Sequence, residues 1–443
     1  MSVETESGPP GADDASSGGD PSTVREVLAR ELAATDFRII LVTLLGVYAL
    51  FAVFTFLGGG GLNTLGSTWV QLTFWFAAYA VLALALNLQW GYTGLFNIGV
   101  AGFMAVGVYT MAMLSTSPEA ISGMGLGLPL VVGVIGGMTA AALVGLIAAV
   151  PALRLRADYL AIVTLGLSEI IRLTANSKTL SDWTMETFGF GTGGGSGTDL
   201  PARPTDSLTN EYLLPVVQGS GLEITDAVVR RFMWVLAMIG FVIVIYWLLA
   251  RVGNSPFGRV LKAIREDELV AQSLGKDTRW FKIKVFMLGC ALMGLGGILW
   301  QGSRGYVSPN SFMPIVTFYV FIAVIVGGSG SNTGSVVGSI LFVGLLFEGP
   351  RTVASLFSNA VELGAVPSTF AGAVEPLAVF NFAPLLAYLF ENISALRFVL
   401  LGIVLILIMQ YRPDGVLGHR TESAAAIDLG RNGSAPARGD DNE

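Results

Sequence analysis

At 443 residues, 53% of them hydrophobic and only 13% charged, the chain has a mean hydropathy of +0.67. A soluble domain carries about 25% charged residues, so a soluble globular class is excluded. One cysteine (Cys290) and one histidine (His419) exclude a disulfide framework, a Cys/His metal centre and a His-based catalytic pair, and the net charge of −7 gives nucleic acid no basic footprint.

Residues 1–36 hold eight acids against Arg25 and Arg30, which fits a disordered, solvated tail. Thr23 to Ala34 can form a short amphipathic helix leading into the membrane. No apolar core of a removable signal peptide precedes it. Five Lys stand against twenty Arg, and with acidic tails this suits a salt-loving prokaryote such as a halophilic archaeon. Apolar windows then fall at 39–58, 69–88, 95–114, 126–150, 158–175, 230–250, 282–302, 315–329, 333–350 and 393–411. The expected fold is therefore all-α: a polytopic integral membrane protein of about ten transmembrane helices, with short re-entrant or Gly-broken segments. With both termini cytoplasmic, thirteen Lys/Arg near span ends fall inside and seven outside, as the positive-inside rule requires. On this reading 37–418 is the membrane domain, 251–281 faces the cytoplasm, and 419–443 is a second disordered tail. Residues 176–229 make a flexible, Gly-rich external loop. Residues 351–392 form an apolar external segment lying against the membrane, in which Phe370 to Phe390 is broken by Glu375, Pro376 and Pro384.

Two Gly-rich turns interrupt the membrane region: Asn87 to Gly99, with Tyr92 and Asn97, and Val326 to Gly338, with Gly327 and Gly328. Irregular backbone at membrane depth survives only where protein or a watery cavity satisfies it, and Gly-broken segments in two halves point to a transporter's binding site. The alternative is close helix packing, which Gly334-xxx-Gly338 favours by its spacing. A third signal runs from Arg154 through Thr164 to Arg172. Glu169 and Arg172 share a helix face, either to orient a zwitterionic solute or as a structural ion pair. The substrate-pathway candidates are thus Tyr92, Asn97, Thr164, Glu169, Gly327 and Gly328.

The polar stretch Ser255 to Lys284 separates apolar spans. Ser255 can cap a helix, Pro256 suits its first turn, and Gly275 suits its left-handed end. Phe257, Val260, Leu261, Ile264, Ala271 and Leu274 recur at helical spacing. A single amphipathic helix on the membrane face is expected, either as something a partner can push or as a solvated loop. Gly275-Lys276-Asp277 is no Walker A loop, so an ATPase, if one drives the protein, lies on another chain.

Asp158-Tyr159-Leu160-Ala161-Ile162-Val163-Thr164-Leu165-Gly166 with Glu169-Ile170-Ile171-Arg172 resembles the signature of LivM-type permeases of branched-chain amino acid ABC transporters. So do Ser255-Pro256-Phe257-Gly258-Arg259 running to Gly275, Gly305 to Phe312, Val326 to Ser331, and the terminal Tyr411-Arg412-Pro413-Asp414-Gly415-Val416-Leu417-Gly418. The resemblance implies a non-catalytic transport subunit in a prokaryotic cell membrane, with no cofactor and no metal. It implies a LivH-type permease partner, two cytoplasmic ATPase subunits, an external solute-binding protein and surrounding lipid. It also implies that Pro256, Phe257, Arg259, Ile264, Arg265, Glu266, Asp267, Ala271 and Gly275 form the ATPase-coupling element. Importers of this kind carry Glu-Ala-Ala, three residues, then Gly. Here Val270, Ala271 and Gly275 keep the spacing, but Leu269 replaces the Glu. Similarly Leu95 and Val100 stand where the family often has Gln and His. Related permeases carry urea or short amides, and an ion-coupled secondary amino acid transporter or a membrane scaffold are the competing classes.

Overall fold

The computed structural model describes residues 21–119, 125–152, 157–219, 225–360 and 366–417. Its helices are α1 (Pro21–Leu57), α2 (Leu62–Leu86), α3 (Val100–Ser115), α4 (Leu130–Ala152), α5 (Ala157–Asn176), α6 (Lys178–Phe188), α7 (Pro204–Leu208), α8 (Leu214–Gly219) and α9 (Asp226–Gly253). They continue as α10 (Pro256–Glu266), α11 (Glu268–Ser273), α12 (Thr278–Gln301), α13 (Pro314–Gly327), α14 (Asn332–Leu341), α15 (Gly349–Ala360), α16 (Phe370–Val374), α17 (Ala383–Glu391) and α18 (Ile393–Tyr411). Seven spans among the described residues are long and apolar enough to cross a bilayer, and the α5–α6 pair, bent by 65°, makes an eighth if counted as one. Every one of the ten expected apolar windows overlaps a helix, but α3, at 16 residues, is shorter than a full crossing. At 1.5 Å per residue α3 covers roughly 24 Å of a ~30 Å hydrocarbon core. The irregular stretch before it is covered by protein: Tyr92, Thr93, Leu95 and Asn97 are all buried. This is the condition under which broken backbone survives at membrane depth.

The centre is a three-helix contact of α3, α4 and α12, closed by glycines. A Cβ on Gly107 would lie 2.5 Å from the Gly294 backbone, and one on Gly137 would lie 2.4 Å from Gly107 O. Small residues let backbones approach this closely where lipid supplies no hydrophobic drive for association. Around that centre α2 is buried along most of its length, whereas α1, α4 and α9 leave most of their apolar surface uncovered. Such faces suit lipid or a neighbouring membrane chain.

Several elements differ from the sequence reading. Helix α1 runs from Pro21 to Leu57, so the short helix expected over Thr23 to Ala34 is continuous with the first span and not a separate element. Residues 1–20 and 418–443, where the disordered tails are expected, lie outside the described residues, as do Arg154 and Arg156. The described part of 176–229 carries short helices and a strand: Thr198–Asp199 (β1) pairs antiparallel with Tyr306–Val307 (β2). Gly193 and Gly197, with φ of 71° and 75°, make the turns that bring β1 to β2. Phe370 to Phe390 does not form one rod. It breaks at Phe380, which has a φ of 58°, and its longest piece, α17, has 9 residues, too few to cross. The external surface segment expected there is therefore compatible with the fold.

Candidate functional site

Ser255 caps α10 as its sequence requires, its Oγ accepting from Gly258 N–H at 3.2 Å, with Pro256 in the first turn. Gly258 is forced by space, because a Cβ there would meet Val252 O at 2.3 Å. Phe257 stacks on Phe281 of α12 at 5.2 Å, and Leu261 and Ile264 are buried. The element is not one helix, however. Asp267 turns extended (φ −154°, ψ 108°) and ends α10, then caps α11 by accepting from Leu269 and Val270 N–H at 2.8 and 3.1 Å. Aspartate does this because its short carboxylate offers the backbone an alternative to helix continuation. Gly275 closes α11 with a φ of 75°, as its position predicts. Glu268 ties α11 to α12 through Lys282 Nζ at 2.5 Å and Thr278 Oγ1 at 3.0 Å. The result is a helical elbow that exposes Arg259, Glu266 and Asp267 together with an apolar tip of Leu269, Val270 and Leu274, of which Leu269 is 74% exposed.

The inner side of the elbow reaches the first Gly-rich turn. Arg265 Nη1 donates to Gly91 O at 2.5 Å, and Lys262, buried in spite of its charge, holds its Nζ 5.6 Å from the Tyr92 ring centroid. Gly91 ends a π-helical turn, Asn87–Gly91, that continues α2. Such turns open the regular ladder and frequently mark functional sites.

The two Gly-rich turns meet here. Gly330 N–H donates to Asn87 Oδ1 at 2.8 Å, and Asn87 Nδ2 donates to Asn332 Oδ1 at 3.1 Å. A Cβ on Gly91 would lie 2.6 Å from Gly330 N. The second turn needs Gly328 and Gly330 at φ of 105° and 89°. It is crossed by the C-terminal Pro-Asp-Gly turn: Val416 and Leu417 N–H donate to Val326 and Gly327 O at 2.9 and 3.1 Å.

The six pathway candidates divide. Tyr92, Gly327 and Gly328 lie at this junction. Asn97 and Thr164 are also buried, but their polar atoms are taken up by the fold. Asn97 Nδ2 donates to Gln89 Oε1 at 2.9 Å while its Oδ1 accepts from Gly99 N–H, and Thr164 Oγ1 accepts from Ile98 N–H at 3.0 Å. Gly327 packs against α14, where an added Cβ would lie 1.9 Å from Gly334 O. Packing was the alternative left open for these glycines, and it accounts for Gly334 and Gly338 as well. Glu169 stands apart on α5, its two oxygens held by Arg172 Nη2 and Nε at 2.5 and 2.9 Å. Sequence reading missed Asn87 and Gln89, though amides inside an apolar run were a visible signal. Gln89 Nε2 donates to Phe286 O of α12 at 2.9 Å, which links the turn to the central helices.

The family described as branched-chain amino acid transport system / permease component matches residues 68–409. The high-affinity branched-chain amino acid transport system permease protein LivM of Escherichia coli (strain K12) is 33% identical over 280 residues, 60% of this chain and 60% of that protein. Its Salmonella typhimurium counterpart is 32% identical over 280 residues with the same shares, so the chain spans about 60% of the length of both. The probable branched-chain amino acid transport permease protein LivM of Methanocaldococcus jannaschii is 25% identical over 379 residues, 79% of this chain and 93% of that protein. No solved structure matches.

Proposed function

Because the chain belongs to the branched-chain amino acid transport system permease family, we propose that it is the membrane-spanning subunit of an ATP-driven importer for branched-chain amino acids. It hydrolyses nothing itself; two cytoplasmic ATPase subunits supply the work, a LivH-type permease completes the membrane unit, and an external binding protein delivers the solute. Both termini and the α10–α11 elbow then face the cytoplasm. The observation that carries this reading is the bond from Arg265 to Gly91 O. It connects an exposed helical elbow to the junction of the two Gly-broken segments, so a push on the elbow is felt where the membrane backbone is irregular. A charge-assisted hydrogen bond of this kind contributes about 1.5–3 kcal/mol. The test is Arg265→Gln in the assembled transporter in proteoliposomes. Uptake should fall by at least tenfold while ATP hydrolysis continues, which is uncoupling. Wild-type stoichiometry of uptake to hydrolysis in that variant would refute the role given to the elbow.

A further inference from the structure

At the end of the bundle opposite α10 lies a cavity of about 200 Å³ among α1, α2, α9 and the α14–α15 rod. Glu348 and Arg231 line it, with Phe51, Leu72 and Val228 as apolar wall. Glu348 is 7% exposed in a membrane-spanning rod and ends the π-helical segment Phe342–Glu348. Its Oε1 accepts no hydrogen bond, and its nearest cation, Arg351 Nη1, is 3.7 Å away on a side chain that is 54% exposed. Gln71 hydrogen-bonds the carboxyl from the α2 side. A carboxylate this buried and loosely held is costly, and an ionisable group inside a membrane-spanning rod beside a π-helical distortion marks a candidate ligand site. Arg231, an exposed side chain, also lines a neighbouring cavity of about 300 Å³ with Arg203, Arg230 and Asp226, where arginines outnumber the one acid.

We infer that this cavity binds a free α-amino acid: Glu348 takes the ammonium, Arg231 the carboxylate, and Phe51, Leu72 and Val228 the aliphatic side chain. At ~30 Å³ per water it has room for roughly seven waters, the scale of a small zwitterion and not of a peptide. The inference rests on the importer reading above, and places a holding site for the solute at the outer end of this chain's own bundle.

The experiment uses the complete transporter, purified in detergent without its binding protein, and radiolabelled leucine as the probe. Wild type should bind leucine and prefer it at least tenfold over 4-methylvalerate, which lacks the ammonium, and isoamylamine, which lacks the carboxylate. Glu348→Gln should weaken leucine binding at least tenfold and abolish the preference over 4-methylvalerate. Arg231→Gln should do the same for isoamylamine. Val228→Trp, which fills the cavity and leaves both charges, should also lose binding in an assembled complex. Equal loss of all three ligands in both charge variants, or unchanged leucine affinity in any of the three, overturns the site. So does displacement by glycerophosphoethanolamine in preference to isoleucine, which would make the occupant a lipid headgroup. Leucine uptake by the wild-type assembly with its binding protein is measured in parallel. Uptake without leucine binding by the permease removes this cavity alone, whereas no uptake of any branched-chain amino acid removes the importer reading.

Discussion

At the residue scale, the informative contrast is between charges that satisfy each other and charges that hold something else. Glu169 and Arg172 close on themselves as a bidentate pair three residues apart, with side-chain exposures of 36% and 16%. A pair that closes on itself along one helix face needs no solute to neutralise it. Replacing Glu169 by Gln should therefore leave leucine uptake within threefold of wild type; a fall of tenfold or more would return Glu169 to the solute pathway. Arg265 is the opposite case, because its partner is a main-chain carbonyl on another element, 174 residues away in sequence. That difference was invisible in the sequence, where both arginines sit in charged patches of amphipathic helices. Helical spacing revealed the Glu169–Arg172 pair because it is local. The Arg265 contact depends on how two distant segments pack, and no local pattern encodes it.

At the element scale, the elbow shows how far local rules carry. The Ser255 cap, Pro256 in the first turn and the left-handed Gly275 follow from residue type and position alone. The break at Asp267 does not, since apolar residues recur on both sides at a spacing one helix would satisfy. The carboxylate decides the matter by taking the N–H groups of Leu269 and Val270. The break lets α11 present Leu269, Val270 and Leu274 to solvent, 74%, 55% and 72% exposed. The resemblance leads one to expect a carboxylate at the head of this segment; Leu269 makes the tip apolar instead, so on the importer reading proposed above it should dock by burial. At about 25 cal/mol per Å² of apolar surface, losing a fully buried leucine contributes about 2 kcal/mol. Leu274→Asp should thus reduce co-purification of the ATPase subunits by about tenfold or more, with the permease still monodisperse by size exclusion. The first Gly-rich turn tolerates even less. A Cβ on Gly91 would fall 2.0 Å from Asn87 Oδ1 and 2.6 Å from Gly330 N. Gly91→Ala must part the two turns, and overpacking of this kind costs typically 1–3 kcal/mol. A lower melting temperature in detergent and a loss of coupled uptake are expected together; an unshifted melt would mean that the turns do not meet in the membrane.

For the whole molecule, the apolar windows foretold where helices lie but not which of them are long. Apolarity reports burial in lipid or protein alike, so α3, enclosed by α4, α5 and α12, reads like a span although it is 16 residues long. The glycines that seat α3 against α12, Gly107 and Gly294, are 187 positions apart and look alike in sequence to glycines that touch nothing, such as Gly240. Orientation is a property of this whole and has a direct test. Lys262 is a poor reporter of sidedness, being 4% exposed beneath the elbow, whereas Lys276 lies exposed just beyond its tip. The single native thiol, Cys290, is fully buried in α12, so an introduced cysteine is read against a silent background. Lys276→Cys should resist a membrane-impermeant maleimide in intact cells and react once the membrane is permeabilised. Glu211→Cys, exposed between α7 and α8 at the opposite end of the bundle, should react in intact cells. The reverse pattern would put the elbow outside, out of reach of any cytoplasmic ATPase, because the hydrogen bonds from Arg265 to Gly91 and from Asn87 to Gly330 fix the elbow and both Gly-rich turns to the same end of the helices.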